Sequence, residues 1–355
     1  MITTQNVSLL ELNGYYLNGD NIFFYCKDKI IECNKDNLYK LIDPVYDQTF
    51  KSLFLFGNKC NDIFGQQRLI SFLNSIISSK YGERIKCIEY LPNKLIKGNE
   101  KTKLGMRIVD IVVKATFESE KILYIDIEIQ TSFYRKICKR WVEYACRLFS
   151  NVEHETLVLV LQLGDEENDW YSIAPKKKEN IAFHLEEKVD GKFEIISIDL
   201  QHAIASINKN FALEFEGVNV SEEGRIWLKL LGLRFWIKPA LNNYYILPYN
   251  LKASPEIMSA IHLLSQYTPN QVTDIIRLEN RRQSDFEDAY YVCEENMEEN
   301  YTVKLWMSLY QNGLTNSPHF KELGKVRENK VRLLCKGDSH LENFILFLSQ
   351  IGKLK

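Results

Sequence analysis

The sequence predicts an α/β protein with a helical C-terminal region. Two segments of the 355-residue chain, 107–113 and 123–130, are rich in β-branched residues that alternate with period two, which indicates neighbouring strands. Residues 64–79 carry apolar side chains at helical spacing, and residues 156–163 are apolar on both faces, as in a buried strand. Strands and helices that alternate along a chain are typical of an α/β sheet.

The composition excludes several broad classes of protein. The formal net charge is -2, so any surface that binds nucleic acid must be local. No apolar run approaches the ~20 residues that cross a bilayer, and we expect no membrane partner. The eight cysteines show no zinc spacing and no secretory signal opens the chain. We therefore expect free thiols and a cytoplasmic protein, or a nuclear one in a eukaryote.

The N-terminal residues predict a small β-rich appendage over residues 1–42. Asn13-Gly14 and Asn18-Gly19 are hairpin signals between short apolar runs. Asp43-Pro44 then marks the start of the α/β core, which we extend over residues 43–200.

The remaining residues, 201–355, predict a helical C-terminal domain. Ser254 precedes a proline and is expected to cap a helix. Thr268 and Ser284 each begin a sequence that fits a capping box, so we expect a helix to start at each. Gly313 is a plausible helix stop.

Acidic residues interrupt the two apolar strands near the middle of the chain. In the second strand, one face is formed by isoleucines, and the other carries two carboxylates and an amide: Asp126, Glu128 and Gln130. In the first strand, Asp110 interrupts a face that is otherwise apolar. Residues 114–121 are polar enough to turn the chain, so the strands can pair as a hairpin and bring Asp110 beside Glu128.

Two neighbouring carboxylates repel each other and raise each other's pKa, and a divalent cation removes the repulsion. Mg²⁺ prefers hard oxygen ligands and keeps several waters, so Asp110 and Glu128 form a candidate magnesium site. The alternative is an acidic edge of a sheet that has no chemistry.

These residues resemble the PD-(D/E)XK nuclease superfamily, in which an Asp ends a hydrophobic strand and Glu-x-Lys lies on the next strand. Val109-Asp110 and Glu128-Ile129-Gln130 follow that pattern without the Pro and with Gln in place of Lys. The Glu-x-Gln form is similar to one branch, the recombination-promoting nucleases and transposases.

Further motifs of that branch occur here in the same order. Asp47 to Phe54 matches Asp-x-x-Phe-Lys-x-x-Phe, and residues 72–74 match a Phe-Leu-Asn helix. Arg140 and Tyr144 match an Arg and a Tyr at helical spacing after Glu-x-Gln. The resemblance covers residues 43–163 well, and it implies a restriction-endonuclease-like core of a helix, a three-stranded meander, a helix and a strand.

The resemblance also implies roles for the residues around the acidic pair. Asp110, Glu128 and the carbonyl of Ile129 would bind Mg²⁺ or Mn²⁺, and Gln130 would orient the attacking water. Gln is too weakly basic to deprotonate that water.

Asp47 and Lys51 lie one turn apart on a helix predicted over residues 46–56. By resemblance, this helix brings both side chains to the rim of the metal site as catalytic residues. Lys51 would then supply the positive charge that Gln130 lacks. The alternative is an ion pair exposed to solvent.

A strongly basic helix is predicted over residues 133–150, directly after the acidic strand. We expect four of its side chains to contact nucleic acid: Arg135, Lys139, Arg140 and Tyr144. Arg140 and Tyr144 have a second possible role, which is to orient Glu128 and Gln130. The alternative for the whole run is a solvated basic face.

By resemblance, the expected function is metal-dependent hydrolysis of DNA phosphodiester bonds, with a link to recombination or transposition. DNA is the expected partner, and a homodimer is kept open as the assembly. One alternative is a binding or scaffold protein that keeps the nuclease fold without catalysis. Another is a nuclease that acts on RNA.

Overall fold

The computed structural model describes residues 6–18, 21–27, 29–55, 63–92, 110–130, 137–152, 154–163, 183–189, 192–215, 218–240, 243–315 and 325–354. Its strands are β1 (Val7–Ser8), β2 (Leu12–Asn18), β3 (Asn21–Cys26), β4 (Lys29–Asn34), β5 (Leu38–Leu41), β6 (Ile85–Tyr90), β7 (Ile111–Phe117), β8 (Ile122–Gln130), β9 (Thr156–Gln162), β10 (Phe183–Val189), β11 (Phe193–Asp199), β12 (Glu214–Phe215), β13 (Val218–Asn219), β14 (Tyr245–Pro248) and β15 (Leu251–Lys252). Its helices are α1 (Asp47–Leu55), α2 (Ile63–Tyr81), α3 (Ile137–Val152), α4 (Leu200–Asn208), α5 (Glu222–Leu231), α6 (Pro255–Ser265), α7 (Pro269–Gln311), α8 (Glu328–Leu334) and α9 (Leu341–Gln350).

Among the described residues, six strands form a central mixed sheet in the order β10-β11-β9-β8-β7-β6. Strands β8, β9 and β11 run parallel, whereas β7 pairs antiparallel with both β8 and β6. Parallel pairing of β8 with β9 requires a crossover, and α3 makes it. The succession α2, β6 to β8, α3 and β9 confirms the predicted helix, three-stranded meander, helix and strand.

Helices cover both faces of this sheet. On one face the isoleucines of β8 join a large apolar cluster that includes residues of α1, α2, α4, α5 and α6. On the other face Val158, Val160 and Ile195 pack with Trp141 of α3 and Trp306 of α7. Alternate residues of each strand point to opposite faces, so Asp126 and Glu128 lie on the face that α3 covers.

The N-terminal strands are tied to residues from the second half of the chain. Strand β5 pairs antiparallel with β14, and β1 pairs in parallel with β15. The large apolar cluster contains residues from all three predicted segments, 1–42, 43–200 and 201–355. The boundaries at residues 42 and 200 stay a prediction, and the three segments share one core.

Two turn predictions differ from the structure. Asn13-Gly14 is not a hairpin turn: it lies inside β2, where the register with β3 shifts between Leu12 and Tyr15. Gly14 has a φ of 122°, which glycine adopts readily, so the pair forms a bulge in the strand. The predicted turn over residues 114–121 is shorter than expected, because β7 continues to Phe117.

The helix caps of the C-terminal region are confirmed in part. Ser254 and Thr268 precede α6 and α7, and Thr268 forms the predicted capping box. Helix α7 ends before Gly313, which has a φ of 65°. The predicted start at Ser284 is wrong, because α7 continues through it without a break. A new helix could start at Ser284 only if the preceding helix ended there. A short capping motif is too weak to interrupt a helix whose backbone hydrogen bonds continue on both sides.

Asp43 organises the start of α1, the helix that carries Asp47 and Lys51. Its carboxylate accepts from the N–H of Val45 at 3.2 Å, and its carbonyl accepts from the Thr49 hydroxyl at 2.7 Å. Arg234 donates from Nε to Oδ2 of Asp43 at 2.9 Å. The start of α1 is therefore held by a buried salt bridge to the C-terminal region.

Asn74 of α2 explains the Phe-Leu-Asn motif. Its side chain donates to the carbonyl of Ile85 at 3.0 Å and accepts from the N–H of Ile85 at 2.6 Å. The two bonds satisfy both backbone groups of Ile85 where β6 begins. The motif thus joins the long helix to the edge strand of the sheet.

None of the helices in the described part of the chain is long and apolar enough to cross a membrane.

Asn74→Ala should lower the free energy of unfolding by about 2–4 kcal/mol, because it leaves two buried backbone groups of Ile85 unpaired. Urea unfolding followed by circular dichroism measures the loss. Gln67→Ala, an exposed amide on the same helix, is the matched control and should change stability little. Equal stabilities for the two variants would show that the Asn74 bonds contribute nothing.

Candidate active site

The register between β7 and β8 brings Asp110 and Glu128 together. Ile111 lies opposite Ile127 at the end of the ladder, so Asp110, directly before β7, comes beside Glu128. The N–H of Asp110 donates to Oε1 of Glu128 at 3.0 Å, and the N–H of Ile129 donates to Oδ2 of Asp110 at 3.1 Å. Residues directly opposite in a ladder share a face, so both acids lie on the same side of the sheet.

Lys51 bridges α1 to this acidic pair. Its Nζ lies 2.6 Å from Oδ1 of Asp47 and 2.9 Å from Oδ1 of Asp110. The side chains of Lys51, Asp47 and Asp110 are 29%, 23% and 16% exposed, so they do not form an ion pair on the open surface. Helix α1 therefore delivers one ammonium and one carboxylate to the end of the acidic hairpin.

The electrostatics of the cluster follow from partial burial. Burial raises the pKa of Asp110, the nearby Asp47 carboxylate raises it too, and the Lys51 ammonium opposes both. Burial alone lowers the pKa of Lys51, but the carboxylates of Asp110 and Asp47 outweigh it, and its pKa lies above the ordinary value. Lys51 thus stays protonated at neutral pH and stabilises the ionised form of Asp110.

Helix α3 covers the face of the sheet that carries Asp126 and Glu128. Asp126 and Glu128 are 0% and 5% exposed. Tyr144 is only 1% exposed and packs with Val112 and Leu148 in a small apolar cluster. Such burial does not favour the expected contact between Tyr144 and phosphate, which stays a prediction. Its other expected role, to orient the acidic residues, stays a prediction.

The basic residues expected to contact nucleic acid fall largely outside the described part of the chain. Arg135 lies outside the described residues. Lys139 and Arg140 lie on α3, and their side chains also fall outside what the structure describes. Their contacts with nucleic acid stay predictions.

Polar residues lie side by side at the ends of three neighbouring strands, beginning with Gln130 of β8. The sequence alone did not predict this alignment. In the parallel register Gln130 lies beside Gln162 of β9, which lies beside Asp199 of β11. Asp199 caps α4 and binds Nδ1 of His202 through Oδ2 at 2.7 Å. The signal in the sequence was a polar residue at the end of each apolar run, but the register that aligns these residues required the structure.

The acidic pair fits a hard divalent cation such as Mg²⁺. The N–H and carbonyl of a strand residue point to the same side, so the carbonyl of Ile129 lies on the side of β8 on which its N–H meets Asp110. Within the described ranges, no group of three or more His, Cys, Asp or Glu residues could hold a metal. The candidate ligands are thus two carboxylates and one carbonyl, and Mg²⁺ often takes only one or two carboxylates from a protein.

Comparison with known proteins finds one family that is similar to this region. Residues 44–208 match a family model described as PD-(D/E)XK nuclease family transposase. The match supports the PD-(D/E)XK transposase-like branch for these residues. No curated protein and no solved structure matches the chain. The family match includes α1, the acidic hairpin, α3 and the parallel strands, so the whole candidate site lies within the PD-(D/E)XK region.

The PD-(D/E)XK region differs from the commoner superfamily pattern at Gln130, where a lysine would stand. Gln130 ends β8, and its carbonyl accepts from the N–H of Leu163 at 3.1 Å. In the described part of the chain, the ammonium group that contacts Asp110 belongs to Lys51 of α1. The positive charge therefore reaches the acidic pair from a helix and not from the strand.

Lys51→Met should lower the free energy of unfolding at neutral pH by about 1–3 kcal/mol, because Asp47 and Asp110 each lose a charged hydrogen bond. Without the ammonium, the pKa of Asp110 rises further above its value in the unfolded chain. As pH falls, Asp110 is protonated in the folded variant before it is protonated in the unfolded chain, and this stabilises the folded state. The loss of stability caused by Lys51→Met should therefore shrink toward acid pH.

Urea unfolding from about pH 8 down to about pH 4 tests this expectation. Lys86→Met is the matched control, because Lys86 pairs with Glu120 on the open surface, where both side chains are more than half exposed. An equal loss in both variants, or one independent of pH, would contradict the role given to Lys51.

Proposed function

We propose that the chain is a metal-dependent DNA endonuclease that hydrolyses phosphodiester bonds. The observation that carries the proposal is a pair of bonds, from the N–H of Asp110 to the Glu128 carboxylate and from the N–H of Ile129 to the Asp110 carboxylate, with Lys51 at 2.9 Å from Asp110. The family match to nuclease transposases supports a nucleic-acid substrate, and DNA hydrolysis in recombination or transposition is the role that we propose.

Asp110, Glu128 and the carbonyl of Ile129 would hold Mg²⁺ or Mn²⁺. When bound, the ion neutralises phosphate charge and lowers the pKa of a coordinated water. An ionised carboxylate has about four acceptor sites. Asp110 therefore keeps acceptor capacity after it binds Lys51 and the N–H of Ile129.

Lys51 and Gln130 would divide the work of the lysine found in the commoner pattern. Lys51 is protonated and would stabilise the negative charge that develops on the phosphate in the transition state. Gln130 has no charge, but its amide can accept from a water or donate to a phosphate oxygen. We propose that it orients the attacking water.

A second candidate function is a scaffold or binding protein without catalysis. The Lys51 ammonium already offsets part of the negative charge at Asp110, so the acidic pair has a cationic partner without a bound metal. A nuclease that acts on RNA would use the same residues. Cleavage of RNA but not of DNA would distinguish it from the first proposal.

Nicking of supercoiled plasmid with Mg²⁺ or Mn²⁺ tests the proposal. The wild type should nick the plasmid, and Asp110→Asn and Glu128→Gln should lose the activity because each removes a charged ligand. Glu118→Gln is the control, since it changes an exposed carboxylate at the turn of the same hairpin. A folded wild type that nicks with neither metal would favour the scaffold function. Undiminished nicking by Asp110→Asn would contradict the proposed site.

Gln130→Ala should reduce nicking by about 10- to 1000-fold, the range for loss of one orienting or stabilising group. Gln130→Lys should also be harmful, because it places a second ammonium near the one that Lys51 already supplies. In a Lys51→Ala background, Gln130→Lys should instead restore activity. Rates from the same plasmid assay decide. No restoration in the double variant would show that the two positions do not share the cationic role.

A further inference from the structure

An unpaired amide lies at the end of β9, in a part of the sheet that the proposed mechanism does not use. Gln162 is the last residue of that strand, and its Nε2 has no hydrogen-bond partner within the described residues. Protein atoms enclose this nitrogen, although the residue as a whole is only half-buried. Buried polar groups in folded proteins nearly always have a partner, and an exception needs an explanation. Binding of a ligand is one.

The register of the sheet places Gln162 beside the candidate active site. In the parallel ladder Gln162 lies opposite Gln130, and two residues back along β8 Glu128 lies opposite Val160. Neighbouring strands lie about 4.8 Å apart and rise about 3.3 Å per residue, so the Cα atoms of Gln162 and Glu128 lie about 8 Å apart. Residues paired in this way share a face, so Gln162 projects on the same side of the sheet as Glu128.

The nearest acid on the other side of Gln162 is already engaged. Asp199 of β11 lies beside Gln162 in the register. Its Oδ1 accepts from the N–H of His202 at 3.0 Å, and its Oδ2 lies 2.7 Å from Nδ1 of the same residue. Asp199 therefore caps α4 and does not accept from the Gln162 amide. The donor is left for an acceptor that comes from outside the chain.

The amide is able to present its N–H₂ group to such a ligand. No hydrogen bond holds Nε2 of Gln162 in place. The last torsion of a glutamine side chain joins an sp³ to an sp² carbon and has broad, shallow preferences. The group can therefore turn toward the exposed side of the residue without breaking a bond to the protein.

The proposed reaction brings a suitable acceptor to this place. A phosphodiester held at Asp110 and Glu128 presents non-bridging oxygens, and glutamine is among the side chains that donate to phosphate oxygens in protein–DNA complexes. The positive charge at the site would come from the metal and from Lys51, which lies 2.9 Å from Asp110. A neutral amide adds a donor beside them without a further charge.

We propose that Gln162 donates from Nε2 to a phosphate oxygen of the strand that is cleaved at Asp110 and Glu128. The inference rests on the proposed nuclease function for the identity of that strand. The two glutamines that lie side by side at the strand ends then have different tasks: Gln130 orients the attacking water, and Gln162 holds the phosphate. Gln162 is thus a substrate-binding residue outside the metal ligands.

Binding of a labelled DNA duplex, followed by fluorescence anisotropy, tests the inference. Ca²⁺ replaces Mg²⁺, because it takes the same hard oxygen ligands but activates a bound water poorly. Gln162→Met keeps the length of the side chain without its N–H donors and should weaken binding about tenfold, the scale of a hydrogen bond to a charged group. Gln162→Glu keeps the shape and should weaken binding further, because its carboxylate repels phosphate.

A matched control and a stability measurement separate this role from a structural one. Gln67→Met changes an exposed glutamine of α2 and should leave binding unchanged. Since Nε2 of Gln162 has no partner in the folded chain, Gln162→Met should keep or raise the midpoint of urea unfolding. A lower midpoint together with weaker binding would show a structural role and overturn the inference.

Two binding results would also overturn it. The first is equal affinity of the wild type and Gln162→Met, which includes the case that neither binds. The second is undiminished affinity of Gln162→Glu, since a carboxylate can replace the amide only where the ligand donates, as the amino group of a nucleobase does.

The plasmid assay is separate from these outcomes. A protein that shows the Gln162 effect on binding but nicks no plasmid would refute the nuclease proposal and leave the phosphate contact standing. Nicking by the wild type, with equal binding by Gln162→Met, would refute the contact and leave the nuclease proposal standing.

Discussion

The antiparallel register between β7 and β8 places Asp110 opposite Glu128, and the rest of the candidate site depends on this pairing. A slip of one residue would move one acid to the other face of the sheet. The isoleucines of β8 resist such a slip, because they fill the large apolar cluster on the opposite face. The two bonds between backbone N–H groups and carboxylates then hold the acids side by side.

Acids held this close to a sheet core need a compensating charge, and α1 delivers it through Lys51. The position of α1 depends in turn on Asp43, whose salt bridge to Arg234 joins the start of the helix to the C-terminal region. One buried pair at the start of α1 therefore helps to position the charge at the acidic site.

Local sequence patterns predicted the features of the fold that depend on residues close together in the chain. Alternation along β8 placed Glu128 on a polar face, and the turn-like residues after β7 predicted the hairpin. Contacts between distant segments were harder to predict. The distance from Lys51 to Asp110 depends on how α1 packs, and the burial of Tyr144 depends on how α3 lies on the sheet. The motif at Ser284 resembled a helix start, yet the backbone of α7 runs through it.

The central claim is that Asp110 and Glu128 hold one divalent ion. Mn²⁺ titration followed by electron paramagnetic resonance measures it without any need for a substrate. The account predicts one Mn²⁺ site in the wild type and in Glu118→Gln, with affinity lowered at least about tenfold in Asp110→Asn and in Glu128→Gln, as expected when a charged ligand is lost. Equal Mn²⁺ affinity in all four proteins, each shown to be folded, would contradict it.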